Sequence, residues 1–252
     1  MIHETIYLRD KDFKLPLCLR GLLIGPSQSG KTTYMIELLK TKDQIFQQKY
    51  DVILYCSPNN GFLLDETEDV KKVISEAAKP IDTIFLNEIP NIDKLLEFHK
   101  DKQGKSRNVL LLVDDFNNKA FDSPTLNAVF FHLSSHARIS ALVSCQDPFT
   151  SGKYRRSIFK NLNYLVLWDF ITDGQTVDFV SRSIYPGKKN FLSKCLKKAK
   201  LLGGNRAYIV INAEIDNKIN TRFPVMYRNI PSKDKKQFTI YFAHPDSENK
   251  LI

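Results

Sequence analysis

Gly25-Pro26-Ser27-Gln28-Ser29-Gly30-Lys31-Thr32 is the stretch on which the reading of the chain turns. It fits G-x-x-x-x-G-K-[ST], the pattern of a phosphate-binding P-loop. Leu22-Leu23-Ile24 precedes it as a short apolar strand. Thr33-Tyr34-Met35-Ile36-Glu37-Leu38-Leu39-Lys40 follows with apolar residues at helical spacing. A helix N-terminus offers unpaired N–H groups and a partial positive charge, which suit a polyphosphate. Gly25 and Gly30 permit backbone angles that a side chain forbids. Lys31 can reach the β- and γ-phosphates of a nucleotide, and the Thr32 hydroxyl can ligate Mg²⁺. Pro26, Ser27, Gln28 and Ser29 form the intervening loop and Thr33 continues into the helix, so 25–33 is the expected nucleotide-binding segment. A Gly/Ser-rich turn before a helix can match the pattern by chance; the flanking strand and helix argue for the P-loop.

A P-loop enzyme also needs carboxylates for metal and water. Asn108-Val109-Leu110-Leu111-Leu112-Val113-Asp114-Asp115-Phe116 supplies an unbroken apolar run ending in two of them. Such a run reads as a strand buried on both faces. Its carboxyl end is where an open α/β sheet places its ligands. The stretch has the form of a Walker B element, in which Asp114 holds Mg²⁺, directly or through water, and Asp115 polarises the attacking water. The alternative is that the aspartates cap the following helix, which is less common for a pair behind five apolar residues. Ile139-Ser140-Ala141-Leu142-Val143-Ser144-Cys145 is a further strand with Gln146 at its end. A polar residue there can sense the γ-phosphate or orient water; it can equally be a turn residue before Asp147-Pro148.

The rest of the chain is organised around these pieces. Residues 1–17 read as a lead-in, 18–216 as a single ATPase domain and 217–252 as an irregular, charged, proline-containing extension. Strands are expected at 20–24, 52–56, 83–86, 109–113, 139–145, 164–168 and 207–211. Helices are expected at 33–41, 64–79, 91–102, 123–134, 175–185 and 188–200, with 149–161 a polar loop or short helix. Ser123-Pro124 is a plausible N-cap and first helical position. This alternation predicts an α/β fold, a mostly parallel sheet with helices on both faces.

Hydrophobic content of 42% is enough for a real core, and no apolar run approaches the ~20 residues of a membrane span. No signal peptide is visible at the N-terminus. Cys18, Cys56, Cys145 and Cys195 are scattered without a C-x-x-C pair, which points to a reduced compartment, cytosol or nucleus. A net charge of +9 and a pI near 9.2 favour a polyanionic partner such as nucleic acid. The lysines at 188, 189, 194, 197, 198 and 200 are either a phosphate-binding face or a solvated one. His132 and His136 share a helical face, but no third ligand lies near, so a metal site there is not expected.

Several blocks together resemble one family. The P-loop and Leu110–Phe116 are followed by His136-Ala137-Arg138-Ile139-Ser140 leading to Ser144-Cys145-Gln146-Asp147-Pro148-Phe149. Then come Arg156-Ser157-Ile158-Phe159-Lys160-Asn161 before Tyr164-Leu165-Val166-Leu167, then Tyr185-Pro186-Gly187 and Ala207-Tyr208-Ile209-Val210-Ile211. Over roughly 18–226 the chain resembles viral genome-packaging ATPases of the FtsK–HerA superfamily. It is most similar to those of Polinton/Maverick elements, virophages and related double-stranded DNA viruses, with poxvirus-type packaging ATPases as more distant relatives. Cys145-Gln146 stands where many relatives have Thr-Gln, and Asp115 where superfamily motors often have glutamate.

The resemblance implies a P-loop NTPase with a RecA-like sheet. It implies ATP and Mg²⁺ as ligands, and Lys31, Asp115, Gln146 and Arg156 as catalytic residues, with Arg156 acting on a neighbouring subunit's ATP. Double-stranded DNA, a homo-oligomeric ring and a capsid or portal vertex protein are the implied partners. The implied place of action is a virus-infected host cell, in the cytoplasm, a viral factory or the nucleus, with virion association left open. Another P-loop DNA motor (a helicase or DNA-transfer ATPase), a small-molecule kinase and an ATP-dependent binding module remain as alternatives.

Overall fold

The computed structural model describes residues 15–58, 64–116, 118–148, 151–169, 174–185, 187, 190–203, 207–212, 225–227 and 241–243. Six of its strands pair in parallel: β1 (Arg20–Ile24), β2 (Val52–Cys56), β3 (Asp82–Leu86), β4 (Val109–Val113), β5 (Ile139–Cys145) and β6 (Tyr164–Trp168). Three more, β7 (Tyr208–Asn212), β8 (Val225–Tyr227) and β9 (Tyr241–Ala243), extend the edge antiparallel. The order across the sheet is β3-β2-β4-β5-β1-β6-β7-β8-β9.

Strands that are apolar at every position need cover on both faces, and two separate cores provide it. Leu110 and Leu112 of β4 pack with α1 (Lys31–Lys40), α2 (Lys42–Ile45) and α3 (Leu64–Ala78). Val109, Leu111 and Val113 face the opposite core, built on α4 (Ile92–Phe98), α5 (Asn118–Asp122), α6 (Pro124–Ala128), α8 (Arg155–Asn161), α9 (Gly174–Ile184) and α10 (Phe191–Gly203). The expected α/β fold with helices on both faces is the one observed.

Several boundaries differ from the expected ones for local reasons. α4 stops at Phe98 because the Arg107 guanidinium donates from Nε and Nη2 to the Phe98 carbonyl, at 3.1 and 2.7 Å. The expected helix at 123–134 runs to His136, as α6, a π-helical turn (Val129–Leu133) and a last turn, α7 (Ser134–His136). Ser123 caps it, accepting the Leu126 N–H at 3.2 Å with Pro124 in the first turn. The segment left as a loop or short helix forms α8. α2 and α5 are too short to show a period.

The extension from 217 is not wholly irregular, since β8 and β9 lie within it. Pro224, Pro231 and Pro245 lie outside the described residues. The lysine-rich helix begins at Phe191. Lys188, Lys189 and Pro186, with the lead-in through residue 14, the loop at 59–61 and Phe149, lie outside the described residues. None of the four cysteines forms a disulfide. Burial pushes the Cys56 and Cys145 thiols up to about 12, as expected of small core hydrophobes.

β4 is buried along its whole length. Leu111→Ala, at a fully buried site, is expected to lower the free energy of unfolding by about 2–5 kcal/mol. Leu201→Ala, 83% exposed, should stay within about 0.5 kcal/mol. Urea unfolding of both variants checks this; equal losses would contradict the assignment of Leu111 to the core.

Candidate active site

The site is assembled by register. Leu22 of β1 and Val113 of β4 both pair with Val143 of β5. One residue further, Asp114 therefore lies level with Ser144. The Gly25 N–H donates to the Cys145 carbonyl at 3.2 Å, which ties the start of the P-loop to the end of β5.

The loop geometry explains its glycines. Gly30 has φ +102°, a left-handed conformation that a Cβ disfavours, and it immediately precedes α1. At Gly25 the constraint is space: a Cβ would lie 2.7 Å from Ser29 Oγ and 2.9 Å from Trp168 Cβ. The first turn of α1 holds no acidic residue, so none of its own carboxylates competes for its free N–H groups. Ser29 Oγ is buried and makes no hydrogen bond among the described residues, leaving a polar atom inside the loop to be satisfied.

Lys31 is buried, and its ammonium donates to the Gly25 and Pro26 carbonyl oxygens at 2.8 and 2.7 Å. Burial lowers its pKa, while the Asp114 and Asp115 carboxylates act in the opposite direction. A desolvated cation hydrogen-bonded to two neutral carbonyls at the mouth of a helix is suited to an incoming anion.

Asp114 is buried and accepts from three hydroxyl groups. Thr32 Oγ1 and the Tyr55 hydroxyl donate to Oδ2 at 2.6 and 2.9 Å, and Ser144 Oγ donates to Oδ1 at 2.5 Å. Burial first, and the Asp114 charge second, push the Tyr55 hydroxyl well above its ordinary value, which keeps it a donor. Thr32 and Asp114 offer adjacent hard oxygen atoms, the donor set that Mg²⁺ prefers. Asp115 has φ +59° and is fixed at both ends: its N–H donates to Ser144 Oγ at 3.0 Å, and Gln146 Nε2 donates to its Oδ1 at 2.6 Å.

The predicted residues Lys31, Thr32, Asp114, Asp115 and Gln146 thus converge on one sheet edge. Arg156 is not brought into hydrogen-bond contact with them. α8 connects β5 to the parallel strand β6, so its N-terminal end, with Arg155 and Arg156, lies at the carboxyl edge of the sheet where the P-loop lies. The two arginines differ: the Arg155 guanidinium sits 5.6 Å from the Phe179 ring centroid, half-buried, while Arg156 is exposed. Two site residues escape sequence reasoning, Tyr55 and Ser144. The signal they share is a hydroxyl near the carboxyl end of a mostly apolar strand.

Comparisons with known proteins agree with this architecture. The family model described as Poxvirus A32 protein matches residues 5–219. No curated protein matches the chain. The genome packaging NTPase B204 from Sulfolobus turreted icosahedral virus 2, in complex with sulfate, is similar in structure with a TM-score of 0.50 at 14% identity, covering 83% of this chain and 94% of that one. B204 from Sulfolobus turreted icosahedral virus gives 0.49 at 16%, covering 83% and 96%. The flagellar accessory protein FlaH from Methanocaldococcus jannaschii gives 0.42 at 10%, covering 91% of each. The first of these likenesses shows a shared fold.

The packing around Gly25 yields a test. Gly25→Ala is expected to destabilise the protein by roughly 1–3 kcal/mol through overpacking against Trp168. Trp168 is the chain's one tryptophan, so the same variant should shift the intrinsic emission of the folded state. Unchanged emission and an unchanged unfolding midpoint would contradict the close approach.

Proposed function

We propose, for a chain that belongs to the Poxvirus A32 protein family, that it hydrolyses ATP and couples the reaction to moving double-stranded DNA into a preformed viral capsid. The observation that carries this reading is the convergence of Lys31, Thr32, Asp114, Asp115 and Gln146 on one sheet edge. The structurally similar B204 from Sulfolobus turreted icosahedral virus 2 is a genome packaging NTPase, and the positive charge of the chain fits a nucleic-acid partner.

The nucleotide's phosphates bind along Gly25–Thr33, with Lys31 leaving the Gly25 and Pro26 carbonyls for the β- and γ-phosphate oxygens. Thr32 and Asp114 would hold Mg²⁺, Asp114 directly or through water. When bound, the ion neutralises charge on the phosphates. Asp115 orients the attacking water and takes up its proton. Gln146, at the end of the strand between the P-loop and Asp114, reports the γ-phosphate to Asp115 through their hydrogen bond. Little covalent chemistry is asked of the protein, since phosphoryl transfer responds mainly to positioning and charge.

The working unit is a homo-oligomeric ring on duplex DNA, docked to a capsid or portal vertex protein in the infected cell. Lys194 and Lys197 on the exposed side of α10 are candidate phosphate contacts. Lys200 is paired with Asp169 at 3.4 Å and is not offered for that role.

Steady-state ATP turnover with and without linear duplex DNA tests the reading. Duplex should stimulate turnover, and a forked substrate should not be unwound. Lys31→Ala and Asp114→Ala should lower turnover by about 10²–10³-fold or more. Asp115→Asn should keep ATP binding and lose hydrolysis. Turnover that needs a small-molecule phosphoacceptor and ignores DNA would mean a kinase, and strand separation would mean a helicase.

Arg156 is proposed to act in trans, its guanidinium neutralising charge on the γ-phosphoryl held by the adjacent subunit, an effect of about 10³–10⁵ in rate in other systems. Arg156→Ala and Lys31→Ala subunits should each be inactive alone and regain ATPase activity when co-assembled. No recovery at any ratio, with wild-type doping showing that sites act independently, would remove the assignment.

A further inference from the structure

Ser144 is 1% exposed, on a strand that is otherwise apolar around it. A serine hydroxyl has one proton to donate and two lone pairs to accept with. Here the proton and one lone pair each have a fixed use. Asp114 Oδ1 is a carboxylate oxygen and can only accept, so it takes the Ser144 proton at 2.5 Å. The Asp115 N–H can only donate, and it does so to the same oxygen at 3.0 Å. One atom thus binds the metal-side carboxylate and the backbone of the water-side carboxylate.

We infer that Ser144 is the positioning residue that sets Asp114 and Asp115 as one unit, an inference that rests on the nucleotide–metal reading of this site. The two oxygens of Asp114 have different duties. Oδ2 faces Thr32 and Tyr55, and Oδ1 faces Ser144, so the Ser144 bond sets the plane in which Oδ2 meets Thr32. Asp115 stands at φ +59°, a left-handed conformation that a side chain disfavours. Its anchored N–H holds it there. Gln146, two residues on from Ser144, takes the Asp115 carboxylate at 2.6 Å, so the end of β5 grips the residue at backbone and side chain. Without the Ser144 hydroxyl, Asp114 Oδ1 loses its donor and the Asp115 N–H its acceptor.

The test uses the full chain with Ser144→Ala, Ser144→Thr and Ser144→Cys. Mn²⁺ binding is read by electron paramagnetic resonance in the presence of a non-hydrolysable ATP analogue. Metal-free affinity is read with a fluorescent nucleotide, and ATP turnover is measured alongside. Ser144→Ala should weaken Mn²⁺ binding by about 10–100-fold and lower kcat by a similar factor. Metal-free nucleotide affinity should stay within about twofold, because the P-loop contacts are untouched.

Ser144→Thr, which keeps the hydroxyl, should retain wild-type Mn²⁺ binding. Wild-type Mn²⁺ binding and turnover in Ser144→Ala, or a parallel fall in metal-free nucleotide affinity, would overturn the inference. Should Ser144→Ala fail to fold by circular dichroism, Ser144→Cys decides: its weaker S–H donor should give an intermediate loss, and wild-type behaviour there would overturn the inference. Wild-type protein that binds neither nucleotide nor Mn²⁺ would overturn the proposed function, and this inference with it.

Discussion

Strand β5 lies between the strand that ends in the P-loop and the strand that ends in Asp114, and its parallel pairing to both sets the geometry of the edge. Parallel ladders bring carboxyl ends together, so residues far apart in sequence become neighbours. Thr32 and Asp114 are 82 positions apart and Gln146 and Asp115 are 31 apart, yet each pair is at 2.6 Å. A slip of one residue in β5 would turn Ser144 to the other face and dismantle the carboxylate contacts, because side chains alternate along a strand. Burial of β4 and β5 in two separate cores makes such a slip costly, since it would exchange the residues of one core for those of the other.

The same burial conditions the electrostatics. Lys31 is desolvated because α1 packs its apolar side against the sheet. Tyr34, Trp168 and Tyr208 meet edge-on or tilted beneath it, with ring centroids 5.3 to 5.7 Å apart. The Tyr34 and Tyr164 hydroxyls share a hydrogen bond inside this cluster. Trp168 in turn abuts Gly25. The start of the P-loop and the helix that follows it are therefore held against β6 by aromatic packing, while the Gly25 N–H ties the loop to β5 and the Thr32 hydroxyl ties it to Asp114 at the end of β4. Such a support leaves the Lys31 side chain as the part of the loop free to respond to an anion.

Much of this was legible in the sequence because the signals are local. Gly25–Thr32 is a contiguous pattern, and Leu110–Asp115 shows both the burial of its strand and the carboxylates at its end. The strand–helix alternation gave the fold class. What escaped depends on register. Ser144 and Tyr55 each put a hydroxyl near the carboxyl end of a mostly apolar strand, and nothing near them in sequence says that they meet Asp114. The end of α4 depends on Arg107, nine residues beyond Phe98. β8 and β9 are three residues each, too short for a period and flanked by prolines that argue against strands. Arg155 and Arg156 are not told apart by motif alone; in the structure the Arg155 guanidinium lies over the Phe179 ring and Arg156 is exposed.

The most direct test is an experimental structure of the protein with Mg²⁺ and a non-hydrolysable ATP analogue. The account predicts the ion at about 2.0–2.1 Å from Thr32 Oγ1, with Asp114 bound directly or through one water. It also predicts Lys31 Nζ on the β- and γ-phosphate oxygens and no longer on the Gly25 and Pro26 carbonyls. An ion seated away from Thr32 and Asp114, or an analogue bound with Lys31 still on those carbonyls, would contradict it.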